Sequence, residues 1–369
     1  MNRKPIIERL DAPQGRELVI SDLHGSYDMY NALLKKMHYT PGKDRLILLG
    51  DLMEKGNQNL KLLHQIMEQC ENENVIAIQG NCDFVAKNIL FSYRLEFLRQ
   101  VLLDRPNSLI HEMIAEANLP ALDENTDMEQ LALQLRLRYL KELKFLNDLP
   151  HVLVTPQRIY AHASIQNEKS FADDFRYILT GTGFANTGGP FLKTVVVGHM
   201  PVTEYCSRVA DFNPMFNRER NILSIDGGMQ VKRSGQLNGV IFSNSYMQTV
   251  SVDALPKVKV LQTVNPVNTM PFYINWNHSK VQILRTEGNQ TQVYSPWLHR
   301  KFWINTDVLN GHGATDFTNY KIPLKQNDII SLVRVSGAKA LVKKNGILGW
   351  TSASILDLDG ADLKAAENA

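Results

Sequence analysis

At 369 residues the chain is longer than one typical compact domain, which predicts two. Its composition, 44% apolar and 21% charged, suits a globular protein with a large core. With 40 basic and 38 acidic residues there is no electrostatic basis for binding nucleic acid or an anionic membrane. The opening stretch MNRKPIIERLDAPQG has no apolar secretory core, and no run approaches ~18 apolar residues. Cys70, Cys82 and Cys206 are too scattered for a disulfide framework. These features predict a cytoplasmic protein with no membrane segment.

In chain order, residues 17–22 (ELVISD), 45–51 (RLILLGD) and 74–81 (NVIAIQGN) are short apolar runs, each ending in a polar or glycine corner. Between the second and third, Leu60, Leu63, Met67 and Cys70 fall on one helix face, which places Cys70 in a core. Strand, helix, strand at this spacing predicts an α/β sheet with its functional residues at the carboxyl ends of the strands. Residues 88–149 are leucine-rich with no β-branched runs, and they predict a helical insert. Its last helix is predicted to start at Thr126, in capping-box spacing with Glu129, and to stop at Pro150. Strand-like runs then return: HVLVT, RIYAHAS, KTVVVGHM, NILSIDGG, GVIFS and QTVSVD. This predicts a first domain over 1–254 and a β-rich region over 255–369.

Within that region, 281–309 and 329–356 share a pattern of strand, glycine turn (Gly288, Gly337), strand, tryptophan (Trp303, Trp350) and a closing apolar pair. A small β-barrel built twice, over about 257–310 and 322–358, accounts for this; one irregular β domain is the alternative.

Five segments carry chemistry. SDLHG supplies Asp22 and His24; LLGDLMEKG supplies Asp51, Glu54 and Lys55; QGNCD supplies Asn81, Cys82 and Asp83; YAHAS supplies His162; VVGHMP supplies His199. Each follows a strand-like run, so an open sheet gathers them at one edge. Two aspartates, three histidines and an asparagine amide suit two divalent cations better than one. Asp51 is suited to bridge both, and a bridging water would lose a proton near neutral pH to become a hydroxide nucleophile on phosphorus. The other histidines (His38, His64, His111, His151, His278, His299, His312) lie in no ligand spacing, and Arg94, Arg99 and Arg176 read chiefly as a solvated helix face, with overhang of the site and phosphate binding as the alternative.

The order D-x-H-G, G-D-x-x-x-x-G, G-N-x-D, H-A and G-H-x-P resembles the calcineurin-like metallophosphoesterases over about residues 16–252. It is most similar to the bacterial branch that includes phosphoprotein phosphatases and symmetrical dinucleoside tetraphosphatases. The resemblance implies a four-layer αββα sandwich. It implies that Asp22, His24 and Asp51 hold one metal and that Asp51, Asn81, His162 and His199 hold the other, the metals being manganese, iron or zinc. Asp51, Cys82, Glu54 and Lys55 then stand at its catalytic positions. Phosphomonoesterases of this family usually read G-D-x-V-D-R-G and G-N-H-[ED], with the histidine protonating the leaving oxygen. Here Glu54, Lys55 and Cys82 occupy those places, and a thiol is a poor proton donor beside an imidazolium. The expected activity is hydrolysis of a nucleotide diester or dinucleoside polyphosphate. A Ser/Thr-type protein phosphatase, a small-molecule phosphatase or a scaffold protein retaining the fold are the alternatives. The segment LVKKNGILGWTSASIL resembles bacterial SH3-like barrels, which implies a C-terminal module that binds a protein partner or packs intramolecularly.

Overall fold

In the strand Glu17–Ile20, Leu18 and Ile20 enter a core shared with helices, while Val19 enters a second core between two sheets. That split is the period-2 alternation of a strand buried on both faces. The structure is a computed structural model and describes residues 3–243, 246–311 and 313–358; His312 and the last part of the predicted β region fall outside these. The strand belongs to a five-stranded sheet ordered Tyr246–Val252, Leu237–Ser243, Glu17–Ile20, Arg45–Leu48, Val75–Ala77. The last three strands are parallel, and Leu237–Ser243 runs antiparallel to Glu17–Ile20. Helices Tyr27–Lys36 and Asn59–Asn72 make the crossovers. The second buries Leu60, Leu63 and Met67, and partly buried Cys70 packs against the same core.

A six-stranded sheet runs Ile7–Arg9, Val152–Val154, Arg158–Ala161, Thr194–Val197, Ile222–Ser224, Met215–Asn217. Leu153, Tyr160, Val196 and Leu223 from this sheet meet Val19, Ile47 and Val240 from the other, so the sheets pack face to face.

The region between Val75–Ala77 and Val152–Val154 is helical: Val85–Leu90, Leu95–Leu103, Leu109–Glu116 and Met128–Asp148. The last helix begins one residue later than predicted. Asp127, not Thr126, is its cap, accepting from the backbone N–H of Glu129 and Gln130. The Thr126 hydroxyl is engaged with Asp123 instead, and a carboxylate is the stronger partner for a helix N-terminus. Glu112 plays a similar part in trans. Its two oxygens accept from Asn59 N and Leu60 N at 2.8 and 2.7 Å, fastening the insert to the start of helix Asn59–Asn72.

The chain divides into two compact units. The first comprises 1–200, 214–231 and 235–253; the second comprises 201–213, 232–234 and 254–369. The second unit is all β apart from short 3-10 turns. Two of its segments repeat one order: a hairpin turned at Gly288 or Gly337 (both φ +58), a third strand carrying Trp303 or Trp350, a 3-10 turn, and a short strand. Strand Lys257–Val260, inside the first predicted repeat, pairs with Ile329–Ser336 of the second. No helix among the described residues is long and apolar enough to cross a membrane.

Candidate metal centre

The corners after five strands converge. Glu17–Ile20 leads to Asp22 and His24, Arg45–Leu48 to Asp51, Val75–Ala77 to Asn81 and Cys82, Arg158–Ala161 to His162, and Thr194–Val197 to His199. Asp22, His24, Asp51 and His199 all take left-handed backbone conformations, with φ of +55, +45, +49 and +67. Each costs ~1 kcal/mol or more for a residue with a Cβ. Close approach of the corners explains two glycines: a Cβ on Gly80 would lie 2.0 Å from Asp51 N, and one on Gly198 would lie 2.2 Å from Asp22 Oδ2.

Asp51 sits between two groups of donors. Its Oδ1 lies 3.4 Å from His162 Nε2 and its Oδ2 lies 3.7 Å from His24 Nε2. Cys82 N donates to Oδ1 at 2.8 Å, which orients the carboxylate. His162 Nδ1 donates to the Leu49 carbonyl at 2.8 Å, so its Nε2 presents a lone pair. His24 is set the same way, with Nδ1 facing the Met53 carbonyl at 3.4 Å. Asn81 Oδ1 lies 3.1 Å from His162 Nε2, and this edge of the amide is 2.8 Å from His199 Nδ1. With the amide flipped, its NH2 donates to both ring nitrogens instead and its oxygen accepts from Cys82 N at 3.2 Å.

Burial pushes Asp51 up, but His162, His24 and Lys55 together hold it well below the usual carboxylate range. Burial, with Lys55 beside it, lowers His24 to about 3; burial, with His162, lowers His199 to about 4. Burial and the neighbouring Asp51 push Asp22 up to about 8. An anionic carboxylate beside the neutral imidazoles of His24 and His199 is a donor set for divalent metal ions. His24, Asp51 and Cys82 form one group with donor atoms within 4.8 Å of one another, and Asp51, His162 and His199 form another. Either group could hold a divalent ion, and Asp51 belongs to both.

Asp22 belongs to neither group in this arrangement; its oxygens accept from His199 N at 3.0 and 3.2 Å. Asp83 is a brace, with Oδ1 accepting from Leu52 N and Met53 N and Oδ2 from Gly80 N. Asp226, within the NILSIDGG run, went unnoticed as a site candidate in the sequence. Its Oδ1 accepts from Gly228 N at 2.7 Å, while Oδ2 is buried with no hydrogen-bond partner among the described residues. Burial, then Asp22, pushes it well above the carboxylate range.

The Lys55 ammonium lies 3.1 Å from His24 Nε2. Cys82 is buried, and burial with Asp51 pushes its thiol well above the ordinary range. Glu54 is bonded to the insert: Oε2 accepts from Arg105 Nη1 at 2.9 Å and Oε1 from Leu109 N at 3.1 Å. Arg105 carries no motif, and only the fold reveals it. The arginines singled out by sequence have other partners: Arg99 pairs with Glu96, Arg176 with Asp174, and Arg94 stacks on Phe97.

Curated relatives include symmetrical bis(5'-nucleosyl)-tetraphosphatases from Escherichia coli and Shigella boydii. They are 28% identical over 183 residues, 50% of this chain and 55% and 56% of theirs. The chain thus spans about half the length of the curated relatives it matches. Among solved structures, a protein serine/threonine phosphatase from Saccharomyces cerevisiae aligns with a TM-score of 0.44 at 13% identity, covering 68% of this chain and 85% of that one. The family description "Calcineurin-like phosphoesterase" matches residues 16–226, more than half of the chain and the span that holds every candidate ligand. The chain with this strand-end centre belongs to the calcineurin-like phosphoesterases.

Proposed function

We propose that the chain is a dinuclear metal-dependent phosphoesterase that hydrolyses a nucleotide diester or dinucleoside polyphosphate. The observation that supports this most is Asp51, with one oxygen toward His24 and the other toward His162. Asp22, His24 and Asp51 would hold one ion, and Asp51, Asn81, His162 and His199 the other. Bound there, divalent ions would supply Lewis acidity and a water acidified to near neutral pH. The Leu49 and Met53 carbonyls keep the imidazole lone pairs inward. Lys55 supplies positive charge for phosphate oxygens as a point charge, without the fork of an arginine.

Cys82 separates the candidate substrates. A buried thiol raised well above its usual range is a weaker acid than an imidazolium and assists a departing alkoxide less. Substrates with a good leaving group, such as a nucleoside phosphate, need no such donor. A serine or threonine phosphoester does, so the protein-phosphatase reading is the weaker one. The likeness to symmetrical bis(5'-nucleosyl)-tetraphosphatases agrees with this preference.

The reading extends to the architecture: a four-layer αββα domain over 1–254 with the insert at 88–149, then two SH3-like modules that serve partner binding. A manganese-loaded panel of diesters, dinucleoside polyphosphates and phosphopeptides tests the substrate class. The reading requires the polyphosphate or diester to be the best substrate, and a phosphopeptide at the top of the ranking would contradict it. No turnover of any substrate would leave a scaffold that retains the fold.

A further inference from the structure

Helix Met128–Asp148 of the insert is apolar on two faces. Met128, Leu131, Ala132, Leu135, Leu143 and Leu146 are buried and join the core shared with the first sheet. Leu133, Leu137 and Leu140 lie on another face and are 44, 79 and 50% exposed. A single exposed leucine is ordinary. These three recur at i, i+4 and i+7, which aligns them in a stripe about two turns long. The helix kinks at Tyr139, inside the stripe, and the leucines on both sides of the kink stay exposed. Ser92 Oγ donates to Glu129 Oε2 at 2.7 Å and accepts from Arg136 Nη1 at 3.1 Å. Phe91, 58% exposed, therefore adjoins the flank of the stripe that Glu129 and Arg136 form. An apolar patch of this kind, rimmed by charge, marks an interaction surface.

The rim says what the surface fits. Glu124, Asp127 and Glu129 are exposed at the start of the helix, whereas Arg138, Lys141 and Lys144 are exposed in its second half. Two acidic residues do fall in that half, but Glu142 bonds His64 at 3.2 Å and the charge of Asp148 reaches Lys87. The helix is thus acidic at one end and basic toward the other. A second copy laid parallel would set like charge against like. Laid antiparallel, it sets the acidic end of each copy beside the basic part of the other and opposes the two helix dipoles. The spacing agrees with this: an antiparallel pair that sets position 133 against 140 also sets 129 against 144, because both pairs sum to the same value.

We propose that this face is the contact with a second copy of the chain. The two helices run antiparallel about a twofold axis, with Leu133 of each copy against Leu140 of the other and Glu129 against Lys144. Each copy offers the same patch, as a twofold contact requires. One helix and one loop per copy make a small interface, so the dimer is reversible and depends on concentration. It stands whether or not the metal centre is active.

The test is sedimentation equilibrium of the full chain across the micromolar range, as wild type, Leu137→Glu and the milder Leu137→Gln. Position 137 is the most exposed of the three, and melting curves establish that each variant folds. The wild-type mass is expected to rise with concentration toward twice that of one chain. Leu137→Glu is expected to raise the dissociation constant about tenfold or more, with Leu137→Gln between it and wild type. Orientation is read with a short bismaleimide on Leu133→Cys and Leu140→Cys, separately and mixed, wild type giving the background from the native cysteines. The mixture is expected to yield more cross-linked dimer than either variant alone. A chain that stays monomeric at every concentration would overturn the proposal. So would a dimer indifferent to both substitutions at 137, or cross-links richer within one variant than in the mixture.

Discussion

The ammonium of Lys55 lies 3.1 Å from Nε2 of His24, the nitrogen whose lone pair is turned into the centre by the Met53 carbonyl. An ammonium and a metal ion cannot share one lone pair. Lys55 therefore neutralises the metal-free site and has to leave His24 when a metal ion arrives. Lys55→Met is expected to raise affinity for the first manganese equivalent by about ten- to a hundredfold, the worth of one hydrogen bond to a charged group. It is also expected to lower the melting temperature of the metal-free chain. Titration calorimetry and melting curves check both, and unchanged affinity would mean that Lys55 does not compete.

Asp51 is the shared position. Asp51→Asn keeps the volume, removes the charge and leaves His24 and His162 with no anion between them. The expected result is loss of at least one of two bound manganese ions. Hydrolysis is expected to fall by roughly 10³-fold, about 4 kcal/mol of barrier. Elemental analysis beside steady-state rates checks this, and a variant that keeps both ions and most of its rate would remove Asp51 from the bridging role.

Cys82→His restores a proton donor next to Asn81. General acid catalysis contributes ~10²–10⁴-fold for a poor leaving group. The ratio of activity on an alkyl phosphomonoester to activity on bis-p-nitrophenyl phosphate is therefore expected to rise at least about tenfold. A constant ratio would show that the thiol does not set leaving-group preference.

The parts of this site that the sequence discloses are those built from local chemistry. Asp22, His24, Asp51, Asn81, His162 and His199 each end a short apolar strand, and a sheet brings its strand ends together whatever lies between them. The pairing of Glu54 with Arg105 is different. It joins a loop to an insert residue 51 positions away, with no periodicity or motif to announce it. Asp226 was hidden for another reason: an aspartate before two glycines reads as a turn, and only its burial beside Asp22 sets it apart. The helix cap at Asp127 was misplaced by a single residue because Thr126 and Asp127 are both good caps, and which one bonds depends on the preceding turn at Asp123.

His151 predicts a pH dependence away from the centre. Its Nδ1 accepts from Ile6 N at 2.9 Å, its ring packs on Phe175, and burial together with Lys87 lowers its pKa to about 4. Protonation would set an N–H against the Ile6 N–H. The unfolded chain takes up this proton near pH ~6.5 and the folded chain only near 4. The histidine's contribution is therefore fully present above pH ~6.5 and lost as the pH falls toward 4. His151→Gln, which can still accept at that position, is expected to flatten the melting-temperature profile between pH 7 and 4 relative to wild type. Parallel profiles would contradict this.

The central claim is that two metal ions sharing Asp51 make this chain a phosphoesterase. The most direct test is the rate of bis-p-nitrophenyl phosphate hydrolysis measured against manganese equivalents added to chelator-stripped protein. The account predicts no rate without metal, a rise on addition, and saturation at two equivalents per chain. A rate independent of metal, saturation at one equivalent, or no rate at any loading would contradict it.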